Sequence, residues 1–170
     1  MTGGWWRRNR WGLIGLVPAL GLALAVPVHD EYGAFWNAKP RDPVAAAAGW
    51  VSYDGASMHL DALTPAHEPG LPAGLEVWRA TVDFRSTSTE ALEGCAVTME
   101  DASGSTYDAN PVELTDLGLD IGPVICAPDG KPAPTWRQVL YFLAPSGVRP
   151  VAVRVVVASQ LPEYVRLSLQ

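Results

Sequence analysis

The sequence has few of the residues from which metal and catalytic sites are usually built. Its 170 residues include three histidines and two cysteines. The histidines are His29, His59 and His67, and no His-x-His, His-x-x-His or Cys–His spacing typical of zinc or copper ligands occurs. We therefore expect no metal site and no cofactor, and we interpret the three histidines as solvated surface groups.

Motifs for catalysis and phosphate binding are also missing. The sequence has no Gly-x-Ser-x-Gly elbow of a hydrolase, although His59, Asp61 and a serine could meet in space. The pair Gly118 and Gly122 lacks the lysine of a phosphate-binding loop. The acidic stretch 100–108 lacks the alternating acidic pattern and closing glutamate of a calcium loop, so a hairpin turn at 102–106 explains it better. We expect no catalytic residues and no enzymatic activity.

Acidic residues are absent from the first 28 positions, and all 18 of them follow. Three arginines precede an uncharged apolar run from Trp11 to Val28, which as a helix would rise about 27 Å, close to the hydrocarbon thickness of a bilayer. Basic residues remain on the cytoplasmic side. The charges therefore predict a cytosolic N-terminus over 1–10, a transmembrane helix over 11–28 acting as a signal anchor, and a translocated remainder.

A cleavable signal peptide is the alternative interpretation of the same run. The tripeptide Ala23–Ala25 would serve as its cleavage site. We expect the helix to be retained because the run exceeds the usual 7–15 apolar residues of a signal peptide. Aromatic residues that favour the lipid headgroup layer also flank it on both sides. These are Trp5, Trp6, Trp11, Tyr32, Phe35 and Trp36.

The remaining residues suffice for one folded domain. Residues 29–49 contain Pro40 and Pro43 and show little periodicity, so they are interpreted as a stalk. Residues 50–170 alternate apolar and polar side chains, which is typical of half-buried strands. The predicted strands lie in segments 58–62, 78–85, 95–100, 139–143, 151–157 and 165–169.

Turn residues separate these segments and indicate where binding would occur. Two long loops are predicted, one from Pro65 to Pro72 and one from Leu117 to Pro134, and long loops often carry the binding function of a sandwich. One or two helical turns fit between Pro111 and Leu119. Six or seven short strands in about 120 residues predict an all-β fold, an antiparallel β-sandwich.

The two cysteines, Cys95 and Cys126, both fall on the predicted translocated side. Two cysteines outside the cytosol most simply form a disulfide, and no Cys-x-x-Cys motif indicates a redox or metal pair. The tryptophans Trp50, Trp78 and Trp136 could form a binding surface for a carbohydrate or a protein, but we favour a place in the core for each.

Four segments of the domain resemble the telokin-like, immunoglobulin-type domains of unknown function found in bacterial lipoproteins and membrane proteins. The resemblance implies an immunoglobulin-like β-sandwich outside the cytoplasm and no catalytic residues, and the whole chain resembles an uncharacterised actinobacterial single-pass envelope protein. The chain differs by lacking a lipidated cysteine and by carrying Cys95 and Cys126. The segments are Trp78–Ser88, Val97–Tyr107, Val139–Pro145 and Val151–Val157.

These expectations together predict a single-pass cell-membrane protein with its C-terminal domain outside the cytoplasm. Its predicted role is non-enzymatic, as a protein-interaction module or an accessory of a membrane complex, with another envelope protein as partner. The net charge of −9 over residues 29–170 argues against nucleic acid. The alternative is a small-ligand or metal-binding domain, secreted or anchored, with its site in loops 65–72 and 117–134.

Overall fold

The computed structural model describes residues 3–45, 49–86, 88, 91–126 and 135–168. The chain divides into two compact units, Met1–Lys39 and Pro40–Gln170. The first unit is helical and the second consists mainly of β-strands, so each is described by itself.

The first unit is one helix, α1, from Gly3 to Asn37. Its apolar side chains include several that are exposed, namely Trp11, Ile14, Leu16, Leu20 and Leu22. Near its end, the rings of Tyr32 and Trp36 stack with their centroids 5.7 Å apart. Among the described residues, no helix meets the length and apolarity needed to cross a membrane. The transmembrane helix predicted over 11–28 therefore has no support from this finding, and the side chains at 13, 17, 24 and 26–28 lie outside the description.

The segment predicted as a stalk, 29–49, is divided between the two units. Residues 29–37 continue α1, and Asp42–Ala45 forms a strand, β1, which pairs with the last strand of the domain. Residues 46–48 lie outside the described part of the chain. The folded domain thus begins at Pro40, ten residues earlier than the predicted boundary.

The second unit is a sandwich of two sheets. One sheet has the strand order β1-β9-β8-β5-β6 and the other β2-β3-β4-β7. All neighbours pair antiparallel except β1, which is parallel to β9. The remaining strands are β2 Val51–Tyr53, β3 Ala56–Ala66, β4 Leu75–Ser86, β5 Cys95–Asp101, β6 Thr106–Asp108, β7 Trp136–Pro145, β8 Pro150–Val157 and β9 Glu163–Leu167.

The predicted alternation places the core between the sheets. On β4, Ala80, Val82 and Phe84 are fully buried, whereas Arg79 and Arg85 are exposed. The inner faces of β3, β5, β7, β8 and β9 supply most of the rest of the core, which confirms the β-sandwich. The largest of these buried side chains are Met58, Met99, Leu140, Phe142, Val153, Val155 and Leu167. The predicted last strand residue, Leu169, lies outside the description.

A β-bulge on β3 changes the face that the sequence predicts for one residue. The pairing with β4 shifts between Leu60 and Ala62, so Asp61 is the extra residue. A bulge moves the following side chains to the other face. Leu63 is therefore buried in the core, and not Ala62 as the alternation predicts.

The prediction that 139–143 forms a central strand is wrong, because β7 is the last strand of its sheet. Val139 on its outer face is 40% exposed. Its free edge is instead covered by the chain that follows β6. Ala109 bridges to Phe142, the N–H of Asn110 donates to the carbonyl of Tyr141 at 2.7 Å, and the N–H of Tyr141 donates to Oδ1 of Asn110 at 2.8 Å.

The strand directions define two ends of the sandwich, which we name the loop end and the far end. The loop end carries the turns 67–74, 102–105 and 146–149. Two hydrogen bonds join these turns. The N–H of Ser146 donates to the carbonyl of Gly74 at 2.9 Å, and the N–H of Ala102 donates to the carbonyl of Arg149 at 3.1 Å. The far end carries turns 54–55, 91–94 and 158–162 and the start of β1.

Side chains of β2 and its turn join the parts of the far end. The hydroxyl of Tyr53 donates to the carbonyl of Glu163 at 2.9 Å. Asp54 accepts from the N–H of Leu92 and from Nε2 of Gln160, both at 2.9 Å. Burial raises the pKa of Tyr53, and because that value is already high its hydroxyl remains a donor at neutral pH.

The predicted disulfide between Cys95 and Cys126 is confirmed. The two Cα atoms are 6.2 Å apart, and the residues are separated by 31 positions. Cys95 begins β5 in one sheet, and Cys126 ends the described part of the loop that runs along β7 in the other. Cys126 is 2% exposed and belongs to the core. The bridge therefore links the two layers at the far end.

Replacing both cysteines, as Cys95→Ala with Cys126→Ala, should lower the free energy of unfolding by about 3–4 kcal/mol, because the bridge closes a loop of this length in the unfolded chain. Urea unfolding of the oxidised full-length protein and of the double variant measures the difference. Wild type under reducing conditions is the control and should match the variant. A loss below about 1 kcal/mol would contradict the role assigned to the bridge.

Candidate functional site at the loop end

The first predicted binding loop begins later than the sequence indicated. Pro65 and Ala66 belong to β3, where they pair with Trp78 and Val77 of β4. The loop itself covers 67–74. Gly70 and Gly74 have φ angles of 89° and 87°, a left-handed conformation that strongly favours glycine. Proline at 65 fits a strand position without a second neighbour, because β2 pairs with β3 only as far as Met58.

The second predicted loop is preceded by a short helix, α2, from Val112 to Asp116, which confirms the helical turn expected between 111 and 119. Its described part continues from Leu117 to Cys126, and the predicted positions 127–134 lie outside the described residues. The loop passes along the free edge of β7 from the loop end to the far end.

Two amide side chains hold this second loop against β7. Nδ2 of Asn110 donates to the carbonyl of Gly122 at 2.8 Å. Gln138 on β7 accepts from the N–H of Ile125 at 3.1 Å and donates to the carbonyl of Pro123 at 3.0 Å. Together with the disulfide at Cys126, these contacts fix the loop at several points along its length. The described part of the loop is therefore held along β7 by hydrogen bonds and by the disulfide.

The two predicted loops meet at the loop end. They enclose a cavity of about 350 Å³ between Glu68 and Pro69 on one side and residues 117–121 on the other, with Tyr141 of β7 also in its wall. The sequence predicts the two loops separately. The structure places residues 117–121 of the second loop beside Glu68 and Pro69 of the first loop. Asp120 and Glu68 make this smaller cavity acidic.

A larger cavity of about 720 Å³ lies on the other side of the first loop. This volume falls within the range of about 300–1,000 Å³ that is usual for small-molecule sites. Its lining is mainly apolar, with polar groups from His67, Glu68 and Glu76. Among the described residues, no lysine or arginine lines either cavity. The apolar part comprises Pro65, Pro69, Leu71, Leu75, Val77 and Trp78.

A separate polar cluster lies on the outer face of the four-stranded sheet. His59, Asp61 and Asp83 each bring one possible ligand atom to within 4.8 Å of the others. The bulge at Asp61 and the register of His59 opposite Asp83 bring these residues together. The sequence suggested that His59 and Asp61 could meet but missed Asp83, because the pairing of β3 with β4 has no local signal.

Arg137 forms ion pairs with both carboxylates of this cluster. Its Nε and Nη2 donate to the two oxygens of Asp83 at 2.6 and 2.8 Å, and Nη2 lies 3.5 Å from Asp61. The hydrogen bond from Arg137 holds the pKa of Asp83 below its usual value. A guanidinium at this position competes with a metal ion for the same oxygens, so the arrangement favours an ion pair over a metal site.

The tryptophans divide between the core and the surface. Trp50 is 39% exposed, so its predicted place in the core is wrong. The guanidinium of Arg85 lies 3.5 Å from the centroid of its ring, and His59 stacks on it at 5.7 Å. Trp136 is partly buried and stacks on Phe84 at 5.2 Å, and Trp78 also packs partly buried against the core.

The three histidines do not share one environment. His67 is exposed in the first loop, in agreement with the predicted surface position, while the side chain of His29 lies outside the description. His59 is half-buried beside Trp50 and Asp83, so it is not the freely solvated group that the sequence suggested.

The stretch 100–108 is the predicted hairpin turn, and Asp101 organises it. Its Oδ1 accepts from the N–H and hydroxyl of Ser103 at 2.8 and 2.6 Å and from the N–H of Ser105 at 3.0 Å. Its Oδ2 accepts from the hydroxyl of Tyr107 at 3.1 Å. The hydrogen bond from the Ser103 hydroxyl is the main cause of the lowered pKa of Asp101. These oxygens stabilise the turn, which leaves the calcium interpretation without support.

The comparisons with known proteins bear on the fold. No protein-family model matches the chain, and neither does any curated protein. MPT63, a secreted protein from Mycobacterium tuberculosis, is 16% identical with a TM-score of 0.48, over 73% of this chain and 97% of that protein. An uncharacterized β-sandwich protein from Clostridium difficile 630 is 10% identical with a TM-score of 0.41, over 78% of this chain and 97% of that one. Likenesses of this size carry no functional conclusion, and the resemblance to telokin-like domains stays a prediction.

The ion pair between Asp83 and Arg137 should stabilise the fold in a pH-dependent way. A carboxyl whose pKa is lowered on folding stabilises the protein above its unfolded pKa of about 3.9, and this contribution is lost as the pH falls through the folded value. A double-mutant cycle of Asp83→Asn and Arg137→Gln, measured by urea unfolding, should give a favourable coupling energy at pH 7 that decreases as the pH is lowered through the folded pKa of Asp83. A coupling that is independent of pH would contradict this assignment.

Proposed function

We propose that this chain is a membrane-anchored β-sandwich outside the cytoplasm that acts without catalysis, by docking onto another envelope protein through its loop end. The observation that carries the proposal is the meeting of the two binding loops at one end of the sandwich, where they frame acidic and apolar concave surfaces.

The disulfide supports a location outside the cytosol. Disulfides persist in oxidising compartments and are rare where thiols are kept reduced. No free cysteine occurs in the described part of the chain, since Cys95 and Cys126 are bonded to each other. Their bond joins the two sheets, so the fold uses the oxidised state as a structural element.

The composition of α1 supports anchoring. The helix contains the whole uncharged run from Trp11 to Val28, with arginines before it and acidic residues after it. The described apolar side chains on it, from Trp11 to Leu22, are exposed. A bilayer would cover these exposed leucine and isoleucine side chains, which water does not solvate well.

The strand order supports an immunoglobulin-like topology. In one sheet β3, β4 and β7 are consecutive neighbours, and in the other β9, β8 and β5 are. These correspond to the orders A-B-E and G-F-C of the immunoglobulin sandwich, in which the fifth strand returns beside the second. Sandwiches of this topology present loops at both ends, and here two cavities lie beside the loops of the loop end.

The chemistry of the polar cluster supports a non-enzymatic role. His59, Asp61 and Asp83 are of residue types used in catalysis, but Arg137 binds both oxygens of Asp83 and approaches Asp61. A carboxylate with a lowered pKa that is held by a guanidinium is a poor general base near neutral pH. The cluster is therefore better suited to joining β3, β4 and β7 than to reacting with a substrate.

Preorganisation of the loop end supports docking. Its three turns are linked by backbone hydrogen bonds, and the second loop is tied to β7 through Asn110 and Gln138. A surface that is already ordered loses less conformational entropy when a partner binds. The first strand of the domain, β1, begins at the far end and not among the turns of the loop end.

A second candidate function, binding of a small ligand, is favoured by the larger cavity. Its volume of about 720 Å³ and its mainly apolar wall with a few polar groups are typical of ligand sites. Docking and ligand binding use the same end of the sandwich, and they can be tested separately.

Anchoring should be visible in the intact protein. We expect the full-length mass, about 2 Da below that of the dithiol form because one hydrogen is lost per sulfur, in the membrane fraction after a carbonate wash. Mass spectrometry under non-reducing conditions and fractionation measure both. A soluble species that begins at Val26 would overturn the anchor and favour a secreted domain, while leaving the disulfide assignment untouched.

Docking should occur at the loop end of the sandwich and not at the far end. A photo-crosslinking amino acid at Pro69 of the full-length protein in its native cells should give one adduct of reproducible mass, because Pro69 is exposed and borders both cavities. The matched control is Glu93, which is exposed in a turn of the far end and, like Pro69, precedes a left-handed glycine. Equal adducts at both positions, or none at Pro69, would contradict docking through the loop end.

A further inference from the structure

We propose that the larger cavity of the loop end binds a small organic cation with an apolar body, such as an aryl or alkyl quaternary ammonium. This inference rests on the second candidate function, ligand binding, and is independent of docking to a protein. It is argued from the cavity wall, from the charges at its border and from its volume.

The wall of the cavity is suited to an apolar body. Leu71 and Leu75 come from the loop and the start of β4, and Val77 and Trp78 follow on the strand. Leu71, Leu75 and Trp78 are only partly buried, so part of their surface remains for a ligand to cover. Tryptophan is also the side chain that attracts a cation most strongly through the face of its ring.

The charge around the cavity is of one sign. Glu68 and Glu76 are the ionisable acidic residues of its lining, and both are half-buried. Glu68 also borders the smaller cavity, to which Asp120 contributes another carboxylate. No lysine or arginine is among the described lining residues, and the one basic side chain among them is the imidazole of His67, which is exposed. A ligand that brings positive charge would supply the missing partner, whereas an anion would be repelled.

The volume favours a small molecule over a peptide segment. A concavity of about 720 Å³ has room for a compact ligand, while an extended peptide needs a groove or a free strand edge. The nearest free edge, on β3 beyond Met58, carries the bulge at Asp61 and a proline at 65, both of which hinder the addition of a strand.

Three probes of similar size and different charge test the proposal. Benzyltrimethylammonium, benzyl alcohol and phenylmethanesulfonate are titrated into the full-length protein in nanodiscs of zwitterionic lipid, with empty nanodiscs as the blank. Calorimetry and ligand-observed NMR measure binding. We expect the cation to bind at least tenfold more tightly than the alcohol and the sulfonate not to bind, because only the cation matches both wall and charge.

Variants of the lining residues show where the cation binds and separate the contribution of the carboxylates from that of the apolar wall. Glu68→Gln and Glu76→Gln should each lower the affinity for the cation roughly fivefold, as expected for loss of one nearby charge from a partly exposed side chain. Leu71→Lys, which places a cation at the wall, should abolish binding. The matched control is Glu93→Gln at the far end, which should leave the affinity unchanged. Thermal unfolding of each variant confirms that it is folded.

The outcomes distinguish this inference from the function on which it rests. Preferential binding of the cation that is lost with Leu71→Lys supports the site. Equal binding of the cation and the alcohol overturns the charge assignment while ligand binding stands. Binding that the loop variants leave unchanged overturns the location. Absence of binding by all three probes overturns the proposed ligand class, and the crosslinking result at Pro69 then remains as the independent test of docking.

Discussion

The free edge of β7 is the constraint on which the rest of the domain depends. A terminal strand exposes unpaired backbone groups that must be hydrogen-bonded or protected. Here the chain after β6 crosses to this edge, bridges it at Ala109 and Asn110, and then runs along it to Cys126. The side chains of Asn110 and Gln138 complete the cover by binding the loop backbone. The same contacts bring residues 117–121 beside Glu68, so the protection of a strand edge also forms the smaller cavity.

The two ends of the sandwich are stabilised in different ways. The far end joins elements distant in sequence through side chains: Tyr53 reaches Glu163, Asp54 reaches Leu92 and Gln160, and the disulfide closes this end between the sheets. The loop end uses backbone hydrogen bonds between turns and the local network of Asp101. The backbone hydrogen bonds between the turns of the loop end do not depend on which side chains those turns carry, so a change of side chain there leaves these links in place.

Much of the fold could be predicted from the sequence because its signals are local. Alternation over residues 78–85 gives the buried and exposed faces of β4, and the pair Cys95 and Cys126 gives the disulfide once the compartment is inferred. The register between strands has no such signal. The position of β7 at an edge, the burial of Leu63 after the bulge and the pairing of Asp83 with Arg137 all depend on it. The exposure of Trp50 also has no local signal in the sequence. It follows from the position of Trp50 just before a strand of only three residues.

The candidate site could be predicted in part, and its limits have a physical cause. Proline and glycine punctuate both loops, so their approximate positions follow from backbone preferences. That the loops meet follows from the path of the chain along β7, which no residue pattern within 117–126 encodes. The charge of the site likewise emerges only in three dimensions, because Glu68, Glu76 and Asp120 are scattered over 53 positions of a domain that is acidic as a whole. The two cavities that border the first loop have no lysine or arginine among their described lining residues, in contrast to the outer sheet face, where Arg137 neutralises Asp83. An acidic concavity without an internal partner is the arrangement that leaves electrostatic free energy to be gained on binding.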